Sequence, residues 1–548
     1  MRGPAVVGEG RVRIESSVAP DVRRDRTAFD EDLRDGQKSA ADGRSSSLHI
    51  RSSATVTPLN RSSQGVLVMR SCLRIIGLLS VIVLSHSTAF AQKTTLNESI
   101  QRREAATWEI ALKIWAFAEP GYQETRSAKL LADTLEQAGF VVKRGVADIP
   151  TAFTATFGEG KPIIGIMGEY DALPGLSQQA VPEQLPREGA TYGHACGHHL
   201  FGAASMSAAI AISEQIKSGQ LKGTVRFYGC PAEEGGSGKT FMVRAGLFDD
   251  CDAALHWHPS GRNTAGDSSC LARAAVKFRF RGKSAHAAGS PEQGRSALDA
   301  VELTCHAAEL LREHTPDFTR IHHVITAGGG APNVVPDLAE VFFYVRHPKA
   351  DIVKELYPRL VKCAQGAALA TETTLEELYL GGTMELLPND TLAQIALANL
   401  GPLNDIQYSA EDTEFAQRLE STLTKPQPLD SIRQVFNTSN EVGKGSTDVG
   451  DVSWVVPTAG FTTACYVPGT PAHSWQAVAA GGTTIGKQGM QLAARTMAAT
   501  AFDLFQQPGT LTAAKTEHTK RLNGRKYEPL LLPNQKPPLD YRNAPNAP

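Results

Sequence analysis

Apolar positions recur at helical spacing between Asn97 and Phe140, first through Trp108, Ala111, Leu112, Ile114 and Trp115 and again through Leu130, Leu131, Leu135 and Phe140. That period predicts helices. Beyond Phe140 the pattern changes: short apolar runs bounded by Gly or Pro, at residues 163–167, 225–228 and 253–255, alternate with helical stretches at 200–216 and 240–248. Strands that alternate with helices pack in layers, so an α/β fold with a mainly parallel sheet flanked by helices is expected.

From Arg273 the period is two. Val276, Phe278 and Phe280 alternate with Lys277, Arg279 and Arg281, as in a half-buried strand. A helical stretch at 296–313, strand-like runs at 321–326 and 339–345, a helix around 352–370 and a short strand around 375–380 follow. The order is β-α-β-β-α-β, which folds as a compact ferredoxin-like sheet with two helices on one face. α/β character resumes near Gly443 and ends in a helix over 486–505. The expected organisation is an α/β domain in two parts, 92–271 and 385–507, interrupted by a module at 272–384 and followed by an extended tail, rich in Pro, Asn and Lys, at 508–548.

Composition narrows the class. A chain of 548 residues, 41% hydrophobic and 20% charged, can bury a large core. Its net charge of -2 offers no basic field for nucleic acid. Residues 1–68 are Arg- and Ser-rich without a sustained apolar period, and read as a disordered leader or an upstream mis-called start. Arg70 and Arg74, the apolar run 75–84 and Ala89-Phe90-Ala91 then compose a secretory signal over 69–91, too short to span a bilayer and cleaved near Ala91. Translation from Met69 would bring it to the amino terminus. A periplasmic protein with no stable membrane insertion is expected. Beyond the signal, cysteines stand at 196, 230, 251, 270, 305, 363 and 465, scattered and odd in number, which argues against a disulfide framework and leaves at least one thiol free or on a metal.

Four segments carry chemistry. Gly193-His194-Ala195-Cys196-Gly197-His198-His199 places three imidazoles and a thiol in six positions, a density of soft and borderline ligands that packing does not require. Pro231-Ala232-Glu233-Glu234-Gly235-Gly236 follows a strand-like run, where open α/β sheets place their sites. One of its carboxylates can bind a cation while the other exchanges protons with an activated water. His256-Trp257-His258-Pro259 closes another strand-like run, and His473 sits in the tight loop Pro468-Gly469-Thr470-Pro471-Ala472-His473. Singly, each histidine is as well explained by an ordinary exposed position. Together they point to one assembled dinuclear centre.

Over about residues 97–506 these segments resemble, in order and spacing, the aminoacylase and carboxypeptidase-like family of two-metal amidohydrolases. Within it they are similar to the cysteine-containing branch of hippurate and auxin-conjugate hydrolases, and most to its p-aminobenzoyl-glutamate hydrolase B-subunit type, through Trp257-His258-Pro259 and residues 332–336 and 446–454. The resemblance implies that Cys196, His198, Glu234, His258 and His473 hold two divalent metal ions, zinc or manganese, and that Glu233 is the general base. It implies that Asp171 orients a ligand and that the module at 272–384 is a lid and dimerisation domain. His286 would then reach the neighbouring subunit's site in a homodimer, and Asn333 and Arg346 would hold a substrate carboxylate. An A-type partner subunit is a further implication. Two positions depart from the family pattern. Glu169 stands where the wider family carries a metal-binding His, a ligand taken to be replaced by the Cys196 arrangement, and His199 stands where Asp or Asn is common.

The expected activity is hydrolysis of an amide bond in a small N-acylated amino acid or aminobenzoyl-glutamate-like substrate. A dipeptidase or carboxypeptidase acting on short peptides is the alternative, because specificity of this kind lies in loops and pocket shape. A non-catalytic binding protein on the same fold would have lost one of the motifs, and all of them are present.

Overall fold

The computed structural model describes residues 93–543. The expected leader and signal peptide lie outside the described residues. In chain order the first strands are β1 (Val141–Arg144), β2 (Phe153–Glu159), β3 (Ile163–Glu169), β4 (Leu173–Pro174), β5 (Tyr192–Gly193), β6 (Gly223–Cys230), β7 (Ala253–Ser260) and β8 (Asn263–Ala265). They are followed by β9 (Ala272–Arg281), β10 (Arg320–Ala327), β11 (Leu338–His347), β12 (Thr374–Thr383), β13 (Val435–Asn437) and β14 (Thr458–Ala464).

The main sheet has the order β1-β2-β6-β3-β7-β14-β8-β13. Its inner pairs, β6 with β3, β3 with β7 and β7 with β14, are parallel, as the alternation of apolar runs and helices requires. Parallel neighbours end on the same side, so the C-terminal ends of four strands open together. Antiparallel β1 and β2 extend one edge. The helix His198–Lys217 lies against the sheet and is buried along almost its whole length, because Ala203, Ala204, Ala208, Ala209 and Ala211 keep it slim enough to pack between the sheet and the helix Thr484–Gln506. Gly168 in β3 serves the same approach: a Cβ there would lie 2.5 Å from the Phe227 ring and 3.3 Å from Gly202. Trp257 of β7 is fully buried and its indole N–H donates to the Phe201 carbonyl at 3.2 Å, tying strand to helix. None of the described helices is long and apolar enough to cross a membrane.

A second sheet, β10-β11-β9-β12, is antiparallel throughout. The helices Ala297–Arg312 and Ala350–Thr371 cover one face, so that Val276, Phe278 and Phe280 are buried against Leu356 and Leu360. The period of two in the sequence is the inward and outward alternation of β9.

One segment differs from expectation. Residues 508–522, expected to be extended, form the helix Pro508–Leu522. Proline at the first helical position loses no hydrogen bond, and Leu511, Ala514 and His518 make a buried stripe at spacings of three and four. Only beyond this helix is the tail irregular.

Candidate metal centre

The open ends of the parallel strands and two loops bring the expected ligands to one place. Asp171 follows the last residue of β3, Glu233 and Glu234 follow β6, and His258 lies within β7. Cys196 sits in the turn before the helix His198–Lys217, which begins with His198, and His473 is in the loop after β14. Cys196 Sγ lies 3.3 Å from His258 Nε2, and His473 Nε2 lies 3.1 Å from Glu234 Oε1. Three overlapping sets, Cys196 with His198 and His258, Cys196 with Glu234 and His473, and Glu169 with His198 and Glu233, each hold their donor atoms within 4.8 Å of one another.

Local backbone explains the convergence. Gly197 has φ of 75°, and a Cβ there would come within 2.3 Å of Tyr466 Oη and 2.8 Å of Pro259, so only glycine lets the turn carrying the thiol press onto the end of β7. Ala232, Ser237 and His473 occupy the left-handed region at φ of 58°, 59° and 57°. Such residues cost about 1 kcal/mol or more each and gather at sites whose surroundings enforce them. Here buried Glu124 accepts the Ala232 N–H at 2.8 Å, and Tyr122 donates to the Gly236 carbonyl at 2.6 Å.

Hydrogen bonds also set the imidazole tautomers. His198 Nδ1 lies 2.8 Å from Asp171 Oδ1, and His258 Nδ1 lies 2.7 Å from its neighbour's carbonyl, that of Pro259. An acceptor at Nδ1 fixes the proton there and turns the Nε2 lone pair toward the pocket. The second Asp171 oxygen accepts the Glu234 N–H at 2.9 Å, so one carboxylate orients two donors.

Charges in the pocket diverge. Burial and Glu234 push the Cys196 thiol up, but His258 and His198 outweigh them and lower it to about 6. Cys196 and Glu234 together raise His473 to about 11. Burial works against ionising Glu234, yet the facing His473 holds it well below the usual carboxylate range. Burial, joined by Glu169 and Glu234, drives the adjacent Glu233 well above that range. The two neighbouring carboxyls are thereby made unequal: Glu234 favours the anionic form of a donor, and Glu233 has the higher affinity for a proton, the property a proton-transfer group needs.

A metal fits this arrangement. Glu169 Oε2, His198 Nε2 and Glu234 Oε1 are buried and have no hydrogen-bond partner among the described residues. Glu169 Oε2 and His198 Nε2 lie 3.1 Å apart and Glu234 Oε1 lies 3.1 Å from His473 Nε2, in each case without hydrogen-bond geometry. Buried donor atoms so placed are costly unless a cation takes them up.

Other expected residues are distributed differently. Arg346 on β11 stacks on the Tyr344 ring at 5.3 Å and lies within electrostatic reach of Glu233 and Glu234. His286 and Asn333 are exposed. His286 Nδ1 accepts the Ala288 and Gly289 amides, and the Asn333 carbonyl accepts the Ala287 amide, so that within the chain these contacts are with a neighbouring loop and not with the cradle. His199 is buried, 3.0 Å from the Gly481 carbonyl and tilted by 50° against the His194 ring, and burial lowers it to about 3; it packs and belongs to none of the donor sets.

Glu169, which departs from the family pattern, has its carboxylate 3.1 Å from His198 Nε2 inside the cradle and belongs to the third donor set. The other Glu169 oxygen meets fully buried Lys239 at 2.6 Å, and Lys239 also meets Asp448 at 2.6 Å. Lys239 and Glu124 are missed from sequence because a Lys in a Gly-rich helix start and a Glu before a helix read as solvated ends. Asp448 does stand in the segment 446–454 that carries the family likeness.

The fold and this cradle define a metal-dependent hydrolase of amide bonds. The chain belongs to peptidase family M20/M25/M40, whose profile matches residues 165–508. It is 42% identical over 463 residues to the B subunit of p-aminobenzoyl-glutamate hydrolase from Escherichia coli (strain K12), covering 79% of this chain and 96% of that one. It is 30% identical to the Xaa-Arg dipeptidase of Mus musculus, covering 75% of this chain and 88% of that one. In fold it is similar to the crystal structure of an aminobenzoyl-glutamate utilization protein from Klebsiella pneumoniae, with a TM-score of 0.52 at 19% identity over 75% of this chain and 99% of that one.

Proposed function

We propose that the protein cleaves the amide bond of a small N-acylated amino acid of the p-aminobenzoyl-glutamate kind, using two divalent cations, zinc or manganese, held by Cys196, His198, Glu234, His258 and His473. The observation that carries this reading is the convergence of the five donors, with Cys196 common to two sets and the Glu233 carboxyl in a third beside them. Bound cations supply Lewis acidity, polarising the carbonyl and bringing the pKa of a water to about 7. Glu233 takes the proton of the attacking water and returns one to the leaving amine nitrogen. Asp171 keeps the His198 ring and the Glu234 backbone in place, and Arg346 with Asn333 holds a substrate carboxylate. The relationship to the Escherichia coli p-aminobenzoyl-glutamate hydrolase chain supports the choice of substrate.

A homodimer through the four-stranded sheet, acting as a lid, completes the proposal. Its support is the sheet's outer strand β10, which exposes Val324 and Ile325 along an edge that no described strand pairs, an arrangement that invites a partner. In that dimer His286 reaches the other protomer's site and steadies the tetrahedral oxyanion. A second, A-type polypeptide and export through the segment 69–91 belong to the same reading. Cleavage of dipeptides is the second reading, supported by the likeness to the mouse Xaa-Arg dipeptidase.

Metal analysis of the purified protein, joined to a hydrolysis screen of p-aminobenzoyl-glutamate, hippurate-like amides and dipeptides, tests both. Two equivalents of zinc or manganese with turnover of the first substrate is the expected result. Preferred turnover of dipeptides would favour the second reading, and a metal-free protein inert on all of them would refute both.

A further inference from the structure

The C-terminal tail returns to the metal cradle. After the helix Pro508–Leu522 the chain passes over β12, pinned where Tyr379 donates to the Leu530 carbonyl at 3.0 Å and Gln535 to the Tyr379 carbonyl at 2.9 Å. It then reaches the loop that carries Glu233 and Glu234. Tyr541 Oη donates to the Glu234 carbonyl at 3.1 Å, and an Arg542 guanidinium N–H donates to the same oxygen. A Cβ on Gly235 would lie 2.7 Å from Tyr344 Oη, 3.3 Å from the Tyr541 ring and 3.8 Å from Arg542 Nη2, so the tail, the loop and β11 meet at one point. From β11, Arg346 stacks on that same Tyr344.

Three guanidinium groups gather here, each with an Nε buried without a hydrogen-bond partner among the described residues: Arg273, which stacks on Tyr344 at 4.8 Å and is tied by its Nη2 to Ser237 Oγ at 2.7 Å, and Arg346 and Arg542. Buried N–H groups of a cation demand an acceptor. A carboxylate matches the planar fork of a guanidinium better than any single oxygen does.

We propose that Arg542, delivered by the tail, binds a carboxylate of the substrate alongside Arg346, so that the preference for acidic acyl-amino acids depends on the last residues of the chain. This rests on the site being that of an N-acyl-amino acid hydrolase and deepens it: an N-acylglutamate has two carboxylates, one for Arg542 and one for Arg346. The Tyr541 contact is the latch that holds the tail in position.

The test is equilibrium binding of p-aminobenzoyl-glutamate, and of the same compound with both carboxylates amidated, to the full zinc-loaded chain carrying Glu233→Gln to prevent turnover. Arg542→Gln keeps an amide donor for the Glu234 carbonyl and removes the charge. Losing one charge-assisted hydrogen bond is expected to weaken binding of the diacid by about tenfold or more, while binding of the diamide and zinc content stay unchanged. Equal responses of diacid and diamide to Arg542→Gln, whether a common loss or no change, would overturn the proposal. Because binding needs no turnover, a protein that selects the diacid through Arg542 yet never cleaves it in its unsubstituted form would overturn the proposed hydrolysis and leave this inference standing.

Discussion

Glu169 of the parallel sheet and Glu340 of the four-stranded sheet are both fully buried carboxylates, yet their surroundings are opposite. Glu340 is saturated: Lys277 Nζ stands 3.1 Å away, Arg279 reaches it with two N–H groups at 2.8 and 3.0 Å, and Thr326 donates at 2.8 Å. Glu169 shares one cation, Lys239, with a second buried carboxylate, Asp448, and turns its other oxygen toward His198, with Glu233 close by. The four-stranded sheet brings two cations to one anion, and at Glu169 one ammonium is shared between two carboxylates. A buried excess of carboxylates and a thiol is stable only if positive charge compensates it, from imidazoles that hold a proton, as His473 does opposite Glu234, or from a bound cation that replaces those protons. That shortage distinguishes a site from a structural ion network more clearly than the presence of histidines does.

The largest effect is expected where the shortage is used. Glu233→Gln leaves the five donors untouched and removes the proton acceptor, so turnover is expected to fall by roughly 10²–10⁴-fold with bound metal unchanged. Steady-state rates set beside metal content check this, and retained activity would remove Glu233 as the base. Next comes Lys239→Met. It strips Glu169 and Asp448 of their shared cation, and breaking a buried pair in this way costs about 3–5 kcal/mol. Lys277→Met leaves Glu340 with Arg279, and its cost is expected to be nearer 1 kcal/mol. Urea unfolding of the two variants compares the regions directly; equal losses would break the contrast between them. Asp171→Asn is milder. It loses the carboxylate that fixes the His198 tautomer, and metal affinity is expected to fall by about 10–100-fold, read by competition with a chelator of known strength.

The strands and their order are legible because burial writes a period into sequence: the inward positions 276, 278 and 280 of β9 are apolar and buried. The cradle is legible because thiol, imidazole and carboxylate cluster at the ends of such runs. What escapes has no period. Lys239, Asp448 and Glu124 acquire meaning only from partners tens or hundreds of residues away, as the Lys239 contact to Asp448 illustrates. Glu169 is visible, but it departs from the family pattern that would give it a role, and position at the end of β3 counts for more than residue type. The helix Pro508–Leu522 escapes because proline reads as a terminator even where it stands at a start.

The smallest effect tests what the four-stranded sheet still lacks. Its buried carboxylate Glu340 is paired, but Val324 and Ile325 on β10 remain 56% and 44% exposed along an edge that no described strand pairs. The cradle's deficit is positive charge, and this sheet's deficit is a covering surface. A second copy would supply the cover and carry His286 to the neighbouring cradle. Mixing His286→Ala chains with Glu233→Gln chains then has a definite outcome. Half of the dimers are hybrids, and each hybrid has one site with an intact Glu233 and a partner's intact imidazole, so about a quarter of the unsubstituted activity should return from two inactive parents. Adding Val324→Lys to both chains should shift the protein toward monomer in sedimentation and abolish the rescue. No rescue from a mixture shown to contain hybrid dimers would place the action of His286 within its own chain, and the edge would then need another explanation.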